Sequence, residues 1–218
     1  EQEIRLIGEQ VHRIRVIVTK LLQFARPGEF VGYVEELDVS AVLADCLVLA
    51  QHHLVKRNIE VVRSFDAAQW VGINRHELQQ VLINLIVNAV QAMPDGGRLS
   101  IQARRFKPDV RVGDQVEIVV QDSGVGMEPS VLEQIFEPFF TTKTLTSRKG
   151  TGLGLAIVWQ NVHDHDGRID VSSEPGCGAT FRVYLPLIES ESADPPEPKL
   201  DPMPHGTETL LVVDDESL

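Results

Sequence analysis

Asn84 and Asn88 stand four residues apart in Asn84-Leu-Ile-Val-Asn88-Ala89, which puts both carboxamides on one helical face. A carboxamide oxygen can ligate a hard divalent cation, and Mg²⁺ takes oxygen ligands shared with phosphates and water. Alone, the pair is explained more simply by packed, hydrogen-bonded amides. A second stretch, Asp122-Ser-Gly124-Val-Gly126-Met127, follows an alternating apolar run. Its glycines permit close backbone approach, and its aspartate can accept from an exocyclic amine. A plain β-turn is the commoner use of such a segment. The third, Gly150-Thr-Gly152-Leu153-Gly154-Leu155, opens a helical pattern, so its backbone N–H groups and helix dipole suit an anion. It is neither a dinucleotide fingerprint, since no strand leads into it, nor a Walker A loop, since no Lys-Ser/Thr follows. Between the glycine stretches lies Phe136-Glu-Pro-Phe139-Phe140-Thr141-Thr142-Lys143 and then a polar run. Aromatic anchors on a basic loop before a phosphate-binding helix would make a nucleotide lid; a surface loop with an apolar plug is the plainer alternative.

The elements that must carry these residues are legible in outline. Glu77–Met93 reads as a helix with Leu78, Val81, Leu82, Leu85, Ile86 and Ala89 on one face. Another helix is expected from Ser40, as N-cap, through Lys56, and a third over Thr151–His163. Strands are expected at Ile59–Phe65, Arg98–Phe106, Val116–Gln121, Arg168–Ser173 and Ala179–Leu185. Long helices among strands that look antiparallel suggest an α+β two-layer sandwich.

The flanks differ in character. Ile4, Ile7, Val11, Ile14, Val18, Leu21 and Ala25 form a heptad seam, widened by Leu6, Ile17 and Phe24, which calls for a helical partner. Six of the twelve prolines fall between Pro186 and Pro204, among acids and serines, as in a semi-extended linker. Of the net charge of −12, residues 187–218 hold −8. Neither part has the basic face that nucleic-acid binding needs. No uninterrupted apolar run spans a bilayer, the acidic start is unlike a secretory signal, and Cys46 and Cys177 lack metal or disulfide spacing. A reducing cytoplasm is the expected compartment.

Taken together, the order and spacing of the four stretches resemble the ATP-binding catalytic domain of sensor histidine kinases over residues 38–187. The resemblance implies the sandwich shared with gyrase and heat-shock chaperone ATPases, with ATP and Mg²⁺ as cofactors. Asn88 would ligate Mg²⁺ with Asn84 beside it, and Asp122 would read the adenine amine, supported by Thr180. Gly124, Gly126 and Met127 would shape the adenine pocket. Lys143 and the amides of Gly152, Leu153, Gly154 and Leu155 would hold the phosphates, and Phe140, Thr142 and Gly150 would also belong to the nucleotide site. Residues 1–27 resemble the second helix of the dimerisation and phosphoacceptor hairpin, implying a homodimer through this helix. Residues 188–205 would be a linker, and 206–218, with Asp214 and Asp215, resemble the first strand of a receiver domain. Such a hybrid kinase would relay phosphate to a response-regulator receiver aspartate.

One feature departs from the family pattern. Its acceptor is a histidine followed by an acid and then a proline, and none of the seven histidines, His12 included, has that context. The acceptor is expected upstream of residue 1, and this chain alone is expected not to phosphorylate itself. Two other readings compete. One is an ATP-hydrolysing relative of the gyrase or chaperone type, but its general-base glutamate would sit where Asn84 does, and an amide cannot take a proton. The other is a non-catalytic nucleotide-binding dimer module. His163-Asp-His165-Asp is a weak candidate metal pair, and His52-His53 reads as a solvated helix face.

Overall fold

The structure, a computed structural model, describes residues 33–66, 69–107, 113–142 and 151–188. The seam of residues 1–27, Lys143, Gly150, most of the linker and the receiver-like segment lie outside the described residues.

The chain order is β1 (Glu35–Asp38), α1 (Val39–Lys56), β2 (Ile59–Phe65), β3 (Trp70–Ile73) and α2 (Arg75–Ala92). After these come β4 (Gly97–Phe106), β5 (Gln115–Asp122), the single turn α3 (Pro129–Leu132), α4 (Gly154–Asp164), β6 (Arg168–Glu174) and β7 (Gly178–Pro186). Five strands form one sheet in the order β2-β4-β5-β7-β6, and β1 and β3 form a separate antiparallel pair. The three long helices pack on one face of the large sheet, giving the expected two-layer α+β arrangement.

Three expectations are corrected. Asp38, not Ser40, caps α1: its carboxylate accepts from the Ser40 amide at 3.0 Å, so the helix begins one residue earlier than Ser40. The two pairings β4–β5 and β5–β7 are antiparallel, but β2 runs parallel to β4, with Ile59 opposite Gly97. Apolar alternation has the same period in either direction, so the sequence could not separate the two. Finally, α4 starts at Gly154 rather than Thr151, because Gly152 takes a positive φ of 67° that no helix admits. The short β1, β3 and α3 have too few residues for a periodic signal.

The core lies between helices and sheet. Leu78, Leu82, Leu85 and Ile86 of α2 meet Leu99 and Ile101 of β4 and Ile118 and Val120 of β5 in one cluster. Burying each such side chain is worth about 1.5–3 kcal/mol. α1 has the length and mean hydropathy, 1.2, of a membrane span. Val39, Val42, Leu43, Cys46, Ala50 and Leu54 on it are instead buried in this core, and His52 and His53 lie on its exposed side.

On the far face of the sheet a carboxylate is buried. Glu117 of β5 accepts from Arg104 Nε at 2.5 Å and from the Tyr184 hydroxyl at 3.0 Å, and Arg168 lies 4.2 Å from the Tyr184 ring centre. Burial, then the bond to Glu117, pushes the Tyr184 phenol up, and Glu117 raises Arg104 further.

Candidate nucleotide site

The Asn74 side chain caps α2, accepting from the amides of His76 at 2.8 Å and Glu77 at 3.3 Å. That cap and the buried apolar side fix the rotation of the helix, and so fix where its polar side points. Asn84, Asn88 and Gln91 then line a cavity of about 370 Å³.

The opposite wall comes from the sheet. Asp122 ends β5, and its Oδ1 accepts from the amides of Gly124 at 2.8 Å and Ala179 at 3.3 Å. Both bonds fall on one oxygen, which leaves Oδ2 for a ligand donor. Burial pushes the Asp122 carboxyl above its ordinary value, against the pull of those two amides. The Val125 amide donates to the Ala92 carbonyl at 3.1 Å, tying this turn to the end of α2. Gly126 has a φ of 68°, and a Cβ there would lie 1.9 Å from the Glu174 carbonyl oxygen, so only glycine fits. Met127 lines the cavity, and its amide donates to Ser173 Oγ at 2.9 Å.

The third side is the segment before α4. Phe140, Thr141 and Thr142 line the cavity, as do Thr151, Gly152, Gly154 and Leu155. The Phe139 amide donates to the Gly152 carbonyl at 3.0 Å, closing the aromatic turn onto the second glycine stretch. Leu153, the residue before α4, makes no side-chain cap bond among the described residues. Gly154 and Leu155 bring this first turn to the cavity, and the N–H groups and dipole of a helix start suit an anion.

Among the expected site residues, Asn84, Asn88, Asp122, Gly126, Met127, Phe140, Thr142, Gly152, Gly154 and Leu155 come together around one cavity. Gly124 packs behind it, where a Cβ would lie 2.5 Å from the Ala92 carbonyl oxygen, and Leu153 is fully buried. Thr180 is not part of the lining: Ala179 and Phe181 are, and strand alternation sends the residue between them to the other face. Ala179 instead supplies the amide that meets Asp122. Gln91 is a further lining residue outside the expected set, although it falls three residues after Asn88, a spacing that keeps it on the same side of α2. Val131 and Ile135 close the apolar end, with no signal in the sequence beyond their hydrophobicity.

The histidine pair does not converge. His165 Nε2 lies 2.7 Å from Glu77 Oε2, whereas His163 Nδ1 lies 2.7 Å from the Trp159 carbonyl oxygen. Among the described residues, no group of three or more His, Cys, Asp or Glu could hold a metal.

A family model described as histidine kinase-, DNA gyrase B- and HSP90-like ATPase matches residues 73–189, more than half of the chain. The chain belongs to this family. Its ATP-binding catalytic domain is of the histidine kinase type. It is 37% identical to sensor kinase CckA of Brucella abortus (strain 2308), over 98% of this chain and 24% of that protein. It is 32% identical to the signal transduction histidine-protein kinase AtoS of Escherichia coli (strain K12), over 86% of this chain and 29% of that protein. The chain thus spans less than a third of the length of either relative. Among solved structures, full-length ShkA in complex with AMPPNP aligns with a TM-score of 0.73 at 26% identity, over 87% of this chain and 39% of that one. The catalytic domain of histidine kinase ThkA aligns at 0.61 and 30% identity, over 71% of this chain and 96% of that one.

Proposed function

We propose that the chain is the catalytic part of a two-component sensor histidine kinase, moving the γ-phosphate of ATP to a histidine on a hairpin helix, for relay to a receiver aspartate. The observation that carries this reading is one cavity bounded by Asn84 and Asn88, Asp122 and the start of α4. Asp122 Oδ2 would accept from the adenine amine, and the first-turn amides of α4 would bind phosphate oxygens. Lys143, by resemblance, would add a cation to them.

Mg²⁺ fits the donor set. Asn84 and Asn88 are half-buried, line the cavity and have no hydrogen-bond partner among the described residues, so Asn88 Oδ1 is available as a hard oxygen ligand. When bound, Mg²⁺ would neutralise phosphate charge, which in phosphoryl transfer is most of what the site must do. Asn84 cannot act as a general base, a loss of typically ~10²–10⁴-fold, so water is a poor acceptor and a hydrolase of the gyrase type is disfavoured.

The domain limits fit this role: residues 1–27 as part of a dimerising hairpin, 38–187 as catalytic domain, 188–205 as linker and 206–218 as the start of a receiver. A cytoplasmic site of action and a receiver partner follow from the same reading. The test is transfer from radiolabelled ATP. The chain alone should take no label, and a supplied phosphoacceptor hairpin domain should become labelled with acid-labile, base-stable phosphate. Rapid release of inorganic phosphate without transfer would overturn the reading.

A further inference from the structure

The polar side of α2 does not end at the cavity. Glu77, Gln80, Asn84, Asn88 and Gln91 recur three and four residues apart and form one stripe along the helix. Glu77, Gln80, Asn84 and Asn88 are half-buried, a costly place for polar groups without partners. The last three residues of the stripe line the cavity. The first two meet α4: Glu77 Oε2 lies 2.7 Å from His165 Nε2, and Asn161 Nδ2 donates to Gln80 Oε1 at 3.3 Å. One turn further along α2, Asn84 faces Gly154, where a Cβ would stand 3.5 Å from Asn84 Oδ1. The partners along α4 therefore run 165, 161, 154 as those along α2 run 77, 80, 84. The two helices lie antiparallel with polar rungs at one end and the phosphate-binding mouth at the other.

Apolar packing alone would leave this pair free to slide. Ala156, Ile157, Val158 and Val162 of α4 are buried, but hydrophobic contact has no direction. Hydrogen bonds do, and they weaken steeply with misalignment. His165 closes α4 and Gly154 opens it, so a shift at the first rung moves the whole rigid helix, about 16 Å long.

We propose that Glu77 with His165, and Gln80 with Asn161, are positioning residues for the phosphate end of the nucleotide. They set the register of α4 against α2, and with it the gap between the amides of Gly154 and Leu155 and the carboxamides of Asn84 and Asn88. This rests on the nucleotide reading of the cavity given above. The adenine end is built from Asp122 and Ala179 on the sheet and does not depend on the rungs. The two ends of the ligand can thus be tested separately.

The experiment is calorimetry on the full 218-residue chain, titrated with Mg²⁺-ATP and, separately, with adenosine. Glu77→Ala and His165→Ala should each weaken ATP by about five- to tenfold, the scale of one lost hydrogen bond, with adenosine unchanged. Glu77→Gln, which keeps an acceptor for the imidazole, should restore ATP binding. Unchanged adenosine binding also shows that the variants are folded. Equal losses for both ligands, no loss for ATP, or no rescue by Glu77→Gln would each overturn the proposal while leaving the nucleotide reading intact. A parent chain that binds neither ligand would overturn both.

Discussion

The backbone amide of Gly124 donates to Asp122 Oδ1 at 2.8 Å, so the aspartate is oriented by the very turn that it begins. An amide in its place could still accept that bond and the one from Ala179, but its NH₂ would face the adenine amine, donor against donor. Asp122→Asn should therefore weaken ATP binding by about 1–3 kcal/mol, measured by calorimetry.

The same substitution should change the pH dependence of stability. Burial raises the Asp122 pKa above 3.8, so the folded state holds this proton at pH values where the unfolded chain has lost it. Stability from this group is present below 3.8 and is lost as pH rises through the folded-state pKa. Urea denaturation of Asp122→Asn across that window should show a shallower fall than the parent. An unchanged slope would contradict the assignment of the shift.

Gly152 and Gly176 make a matched pair. Both have positive φ, 67° and 79°, but a Cβ at Gly152 would lie 2.4 Å from the Phe139 carbonyl carbon, while one at Gly176 meets nothing within 4 Å. Gly176→Ala should cost only the left-handed conformation, about 1–2 kcal/mol. Gly152→Ala should cost more, about 2–4 kcal/mol, and should also lower ATP affinity, because the displaced turn lines the cavity. Thermal unfolding and ATP titration of both variants would check this.

Glu117 offers a test remote from the cavity. Tyr184→Phe should destabilise the domain by about 1 kcal/mol, and Arg104→Ala by about 1–3 kcal/mol, because the second leaves a buried carboxylate short of its main partner. ATP affinity should not change in either. Equal stability for all three proteins in urea would show that Arg182, 3.9 Å from Glu117, suffices alone.

The seam of residues 4–25 predicts self-association. Replacing Val11 and Ile14 with charged residues should convert an associating chain into a monomer by sedimentation at high concentration. A monomeric parent would refute the expectation.

What could be read from the sequence was whatever depends on spacing within one element. Asn84 and Asn88 were legible because a four-residue interval survives any packing, and the two glycine stretches because their backbones admit few side chains. Thr180 falls on the face away from the cavity because a strand's period of two makes neighbouring residues opposites, and only the pairing of Gln121 with Thr180 fixes which faces which. Spacing in sequence joins His165 to His163, whereas its partner is Glu77, which only the packing of two helices brings near. The parallel β2–β4 pair was hidden for the same reason: direction belongs to the connection, not to the strand.

The strand order has a consequence for how the domain is made. β7 is the last strand among the described residues but lies inside the sheet, between β5 and β6. Until residue 186 has left the ribosome, β5 has one unpaired edge, and Asp122 lacks the Ala179 amide. An apolar strand with an open edge is a surface that chaperones and other nascent chains can capture. Synthesis thus delivers the helices and all of the cavity lining but Ala179 and Phe181 first, and locks them with a hairpin at the end. The nucleotide pocket is the last part of the domain to be finished, so ATP binding reports that the whole fold, and not merely most of it, has been reached.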